Sequence, residues 1–271
     1  MDSRVLNILG LVFCLILFCS GFMINGNTGL YFNLSGLLIV LGGIFGATIL
    51  SFRMERLLIL LKVLKTAYTT PVKKPVEIVG LLLDLSFKKK VRGIQGLMEE
   101  EKETTISFFR QALEFLVDGY SPEEIRSYLH AEMFFFRKRR DQTGRVLQTM
   151  ADVAPSFGIV GSVVGLIGML AGIGNSSVIL ATIPVALTST LYGIILSSFV
   201  FTPFMSNIRE RTLEELFLQK IITEGIVAIA EDTHPRLLER KLKSFLTPSA
   251  RNLETASMEK INLKFDPDEF E

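Results

Sequence analysis

Val153-Ala-Pro155-Ser-Phe-Gly158-Ile-Val-Gly161-Ser162-Val-Val-Gly165-Leu-Ile-Gly168-Met-Leu-Ala-Gly172-Ile173 opens a run of 56 residues, 153–208, without a single Lys, Arg, Asp or Glu. Its five glycines recur at steps of 3, 4, 3 and 4, which on a helix puts them all on one face. A second apolar segment follows, in which Thr182, Ala186, Ser189, Thr190, Gly193 and Ser197 make a comparable stripe of small and hydroxylated residues. In lipid, small residues let helices approach closely and hydroxyls add polarity without charge. Two readings follow: the stripes line an ion pathway, or they only pack helices together.

Residues 5–52 are equally free of charge, so 55 of the 57 charged residues fall in 53–152 and 209–271, leaving only Asp2 and Arg4 outside. Soluble cores do not exclude charge over such lengths, whereas a bilayer requires it. The chain therefore reads as an all-α integral membrane protein with four transmembrane helices. The formal net charge of +1 gives no bulk attraction to nucleic acid. Cys14 and Cys19 lie in the first apolar segment without metal spacing and read as buried, inert thiols.

The spans are expected at about 5–24, 30–52, 153–173 and 178–205, each near the 20 residues a bilayer needs. Asn25-Gly26-Asn27-Thr28-Gly29 and Gly174-Asn175-Ser176-Ser177 are uncharged turns. Arg4, Arg53, Arg56, Arg137, Arg139, Arg140, Arg145, Arg209 and Arg211 crowd the opposite ends. The positive-inside rule then places both termini and the large block in the cytoplasm. Five segments result: a hairpin of spans one and two (1–52), a cytoplasmic helical block (53–152), a hairpin of spans three and four (153–208), cytoplasmic C-terminal helices (209–246) and a disordered acidic tail (247–271).

Within the block, Ile106, Phe109, Leu113 and Leu116 keep helical spacing. So do Ile125, Tyr128, Leu129, Met133 and Phe136, after a start at Ser121-Pro122. Lys88, Lys89, Lys90 and Arg92 precede Glu99, Glu100, Glu101 and Glu103, a bipolar patch that is either a solvated face or a docking surface. His130 and His234 have no metal-ligand companions, and no phosphate loop, nucleophile elbow or zinc motif occurs. No catalytic residue, metal or cofactor is expected, and the chain does not read as an enzyme.

The spans hold no ionisable group, although ion sites in membranes normally use a carboxylate. If this chain moves ions, a partner must bring the acid. Ser162 lies 11 residues from the outer end of its span and Thr190 lies 12 from its own, so both fall near mid-membrane at matching depth. Their hydroxyls could ligate a cation or a partner's carboxylate, or merely bond to their own helices. Pro155 and Pro203 sit near the cytoplasmic ends of spans three and four, as helix ends, kinks or hinges.

Asp152-Val-Ala-Pro155-Ser-Phe-Gly158-Ile-Val-Gly161-Ser162-Val-Val-Gly165-Leu resembles the third span of the MotA/PomA family of flagellar stator subunits. Ala186-Leu-Thr188-Ser-Thr190-Leu-Tyr192-Gly193, with Pro203, is similar to their fourth span. Leu116-Val-Asp118-Gly119, Gly225-Ile-Val-Ala-Ile and His234-Pro235-Arg236 resemble their cytoplasmic segments. The likeness covers roughly 5–246. It implies a pentamer in the bacterial inner membrane around a MotB/PomB-like single-span partner that supplies the ion-binding aspartate, with H+ or Na+ as the transported ion. It implies a pathway and partner face at Ser162, Thr188, Thr190, Gly161, Gly165, Gly193 and Ala186, with coupling through Pro155 and Pro203. A rotor protein of the switch complex would meet Lys89, Lys90, Arg92, Glu99 and Glu100; the family's acidic position falls on Met98. The energising TolQ/ExbB subunits, usually with three spans, are the nearest alternative, and a non-conducting scaffold is another.

Overall fold

The computed structural model describes residues 10, 13–14, 16–21, 24, 28–69, 73–93, 97 and 106–248, and every described element is helical. The first expected span is helical at 16–21, with the rest of it largely outside the described residues. Met98, Glu99 and Glu100, and the tail from 249 on, also fall outside them.

A short 3-10 turn, Thr28–Tyr31, leads to α1, Leu34–Ser51. Asn33 caps it, its side chain accepting from the Gly36 amide at 3.0 Å. Phe52 is extended and ends the helix. Then come α2 (Met54–Thr69), α3 (Pro75–Arg92), α4 (Ser107–Val117), the 50-residue α5 (Pro122–Ala171), α6 (Ser176–Ile195), a π segment (Leu196–Phe201), α7 (Thr202–Ala230) and α8 (Pro235–Lys243). Among the described residues three helices are long and apolar enough to cross a membrane: α1, α5 and the continuous α6–α7.

The chain forms two compact units, 1–61 with 144–206 and 62–143 with 207–271, and passes between them inside α2, α5 and α7. The first unit contains the apolar ends of α5 and α6. Its hairpin turn is set by Gly174, at φ 97°, and Asn175, which caps α6 by accepting from Ser177. Cys14 and Cys19 are unpaired and exposed rather than buried. The outer face of an apolar span is free to stay apolar against lipid, so these thiols need no protein around them.

The second unit has a conventional apolar core. Ile78, Leu82 and Leu85 of α3 meet Phe109, Leu113 and Leu116 of α4, Ile125 and Leu129 of α5, Ile221 and Ile226 of α7, and Leu238 and Leu242 of α8. The helical spacings noted at 106–116 and 125–136 thus point inward, with two exceptions. Tyr128 is exposed and Phe136 is half-buried. The helix ends follow local chemistry. Gly119, at φ 78°, closes α4 with paired bonds from Tyr120 to the Phe115 carbonyl and from Gly119 to the Leu116 carbonyl. Ser121 and Glu124 then form a reciprocal cap at the start of α5, at 2.9 and 3.3 Å. Asp232, at φ 52°, closes α7 with the same pair of bonds, from Thr233 to Ala228 and from Asp232 to Ile229.

Candidate functional site

The five glycines of the 158–172 run meet α6 of the same chain. A Cβ on Gly165 would stand 2.5 Å from the Ala186 amide nitrogen, and one on Gly161 would stand 2.5 Å from Ser189 Cβ. On Gly158 it would lie 3.0 Å from the Ser189 carbonyl, and on Gly193, from the other side, 2.5 Å from the Ala154 carbonyl. The step of 3 and 4 therefore builds a backbone-to-backbone seam, as small residues do in lipid. Gly161, Gly165, Gly193 and Ala186 are buried in that seam. The close approach that these small residues permit is taken by the two helices of their own chain. Thr188 is also buried: it bonds back to the Pro184 carbonyl at 2.7 Å and lies on the side facing Gly36 of α1.

Ser162 and Thr190 behave differently. Their oxygens are 2.5 Å apart, and Ser162 Oγ also lies 2.5 Å from the Ala186 carbonyl. A serine hydroxyl has one proton. If Ser162 gives it to Ala186, then Thr190 donates to Ser162. The remaining acceptor near Thr190, the Gly158 carbonyl, is more distant at 3.4 Å. Thr190 Oγ1 then keeps both lone pairs for another donor or a cation. Both residues are half-buried, so the pair lies at the edge of the seam rather than sealed inside it.

The prolines are structurally active as well. Pro155 lies inside α5 and cannot donate to the Ala151 carbonyl four residues back. Ser197 Oγ, from the π segment, donates to that carbonyl at 2.8 Å instead. Pro203 follows the π segment at the second residue of α7, where the ladder is already widened. Sequence reading missed two positions. Pro184 interrupts the α6 ladder in the same way. Tyr192 Oη donates to the Tyr31 carbonyl at 2.5 Å and accepts from the Asn33 amide at 2.8 Å, fixing the start of α1 against α6. A tyrosine in a charge-free span, whose hydroxyl needs a partner, was the available signal.

In the second unit, Lys89 is not part of an exposed patch. Its Nζ donates to the Ile229 carbonyl and to Asp232 Oδ1, each at 2.6 Å, and so closes the C-terminus of α7. Lys90 and Arg92 are exposed. Lys88 pairs with Asp84 at 2.7 Å. His234 caps α8 through Nδ1, which accepts from the Arg236 amide.

Taken together, these features describe a multi-span helical membrane protein. Its apolar hairpin is close-packed on glycine and carries the Ser162–Thr190 hydroxyl pair at the edge of that seam. The sequence profile of the MotA/TolQ/ExbB proton channel family matches residues 100–221, and the chain belongs to that family. It is 31% identical to Motility protein A of Borreliella burgdorferi over 90% of this chain and 93% of that one. Against the chemotaxis protein PomA of Vibrio alginolyticus it is 28% identical, covering 91% and 97%. The MotAB structure from C. jejuni superposes with a TM-score of 0.82 at 27% identity, covering 92% of this chain and 97% of that one.

Proposed function

We propose that the chain is a stator subunit of the bacterial flagellar motor. With a MotB/PomB-like single-span partner it couples inward proton or sodium flow to torque on the rotor. Four such spans, both termini in the cytoplasm, and a pentameric ring in the inner membrane complete the reading. The relatives' names and the MotAB likeness support it. The observation that carries it is the Ser162–Thr190 pair, set in a charge-free hairpin with no acid of its own.

The chemistry is a division of labour. A carboxylate crossing a bilayer needs oxygen or a proton beside it. Thr190 Oγ1 has unspent lone pairs. It can accept from the partner's protonated aspartate, or ligate a partly dehydrated sodium ion alongside that carboxylate. The glycine seam holds the two hydroxyls in register, while Pro155 in α5 and Pro203 at the start of α7 let the cytoplasmic ends of the third and fourth spans yield as the ring turns. Lys90 and Arg92, with Glu99 and Glu100, form the rotor-facing patch.

Thr190→Val keeps the shape and removes the oxygen. Motility should be lost while membrane assembly and co-purification with the partner stay intact, and Thr190→Ser should restore swimming in part. Normal swimming by the valine variant would rule out a conducting role for this hydroxyl. For the rotor face, Lys90→Glu with Arg92→Glu should lower torque in tethered cells at normal protein levels. Unchanged torque would remove the docking assignment.

A further inference from the structure

The end of α3 and the start of α8 are tied together. Lys89, in the last turn of α3, donates from Nζ to the Ile229 carbonyl and to Asp232 Oδ1, each at 2.6 Å. Asp232 lies just before α8 begins at Pro235. α8 also packs on α3, with Leu238 and Leu242 in the same core as Leu82 and Leu85. One surface region therefore gathers the exposed residues of both ends: Lys90, Val91 and Arg92 from α3, and Arg236, Leu237 and Arg240 from α8.

Its charge is one-sided. The acids beside it already face lysines: Asp84 meets Lys88 at 2.7 Å, Asp232 meets Lys89 at 2.6 Å and Glu239 meets Lys243 at 2.6 Å. Lys90, Arg236 and Arg240 form no ion pair among the described residues. Between these cations Val91 is 55% exposed and Leu237 59% exposed. The region thus suits an acidic ligand that also carries apolar side chains.

The chain carries such a segment itself. Phe265-Asp-Pro-Asp-Glu-Phe-Glu271 has four acids, no base and two phenylalanines. Residues 249–264 link it to Pro248, just after α8. That link reaches about 55–60 Å at full extension, at about 3.3–3.6 Å per residue. The nine residues of α8 span only about 14 Å. Tethering makes docking intramolecular, at an effective concentration up to about the millimolar range.

We propose that the acidic segment 265–271 docks on the basic face formed by the end of α3 and the start of α8 of its own chain, and so masks the rotor-facing patch until the rotor displaces it. Asp266, Asp268, Glu269 and Glu271 meet Lys90, Arg92, Arg236 and Arg240, while Phe265 and Phe270 cover Val91 and Leu237. Charge sign, the paired apolar residues and the tether select this segment as the occupant. The masking rests on the stator reading of Lys90 and Arg92; the docking does not.

The test is photocrosslinking in the full-length chain purified with its partner subunit, carrying p-benzoylphenylalanine at Phe270. Crosslinks should fall within 87–93 and 235–241. Raising salt from about 0.1 M to about 1 M shortens the Debye length from about 10 to about 3 Å and should cut their yield at least about fivefold. Arg236→Glu with Arg240→Glu should do the same at low salt, and adding Asp266→Lys with Asp268→Lys should restore the yield. Crosslinks elsewhere, or a yield indifferent to salt and charge reversal, would overturn docking. A covalent band of doubled mass would place the segment on a neighbouring copy and overturn docking within one chain. For masking, Asp266→Asn, Asp268→Asn, Glu269→Gln and Glu271→Gln are combined, and torque recovery after induction is followed in tethered cells at equal protein levels. A segment docked at least half the time halves the competent fraction, so recovery should quicken by about twofold or more. Unchanged recovery alongside a positive crosslink would overturn masking alone. Since the crosslink is read without ion flow or torque, its failure leaves the stator reading untouched.

Discussion

Gly165→Ala should dismantle the hairpin of α5 and α6 and abolish motility with it. The added methyl would stand 2.5 Å from the Ala186 nitrogen and 2.8 Å from its Cα, both backbone atoms that cannot swing aside. The helices must separate, which breaks the 2.5 Å contact of Ser162 with Thr190 about one turn away. Gly193→Ala should behave alike, since its Cβ would meet the Ala154 carbonyl at 2.5 Å. Overpacking of this kind costs about 1–3 kcal/mol, and here it acts on the pair that carries function. Gly46→Ala on α1 is the control. Its Cβ would meet nothing within 4 Å, and alanine favours a helix over glycine. Thermal melts of the purified protein should fall for the first two variants and hold or rise for the third. A normal melt and normal swimming for Gly165→Ala would show that the seam is not where the two helices are held.

The same residues show what a sequence can and cannot reveal here. Charge exclusion over 5–52 and 153–208 identifies membrane segments, because a bilayer imposes it along the chain itself. Counting residues from the outer turn brought Ser162 and Thr190 to one depth, since two antiparallel helices share a turn and a fixed rise. The glycine period was equally legible, but not its destination: period tells which residues share a face, and only tertiary structure tells what meets that face. Hence the sequence leaves open what Gly161, Gly165, Gly193 and Ala186 meet, and the structure sets them in a seam within their own chain. Lys89 shows the same limit of local pattern. Its acceptors, Ile229 and Asp232, lie 140 and 143 residues away. Local charge pattern cannot distinguish it from Lys90, which stays exposed. The helix that Lys89 closes, α7, also carries Glu224, the buried carboxylate among the described residues.

That carboxylate, Glu224, is predicted to matter more for stability than any exposed ion pair in the chain. Lys241 Nζ lies 2.8 Å from Oε2 and Lys220 Nζ 2.9 Å from Oε1, with Arg126 at 3.8 Å. Its side chain is 11% exposed. Burial alone would push its pKa up, but hydrogen bonds from Lys241 and Lys220, and then their charges, outweigh this and bring it down to about 2. One acid thereby ties α8 to α7, through Lys241, and α5 to α7, through Arg126. Glu224→Gln removes the charge and leaves three cations facing an amide. Hydrogen bonds to charged groups contribute about 1.5–3 kcal/mol, and the half-open lysines argue for the lower end. The sign follows from linkage. A depressed folded pKa gives stability that is complete above the ordinary value of 4.5 and is lost as pH falls towards 2. The melting difference between wild type and Glu224→Gln should therefore be full at pH 7 and shrink steadily below pH 4.5. Amide exchange should rise first in Pro235–Lys243, the helix that Lys241 anchors. A difference that stays the same at pH 7 and pH 3 would mean that shape, not charge, accounts for the loss. Unchanged exchange in α8 would mean that its apolar contacts, Leu238 and Leu242, hold it without help from the acid.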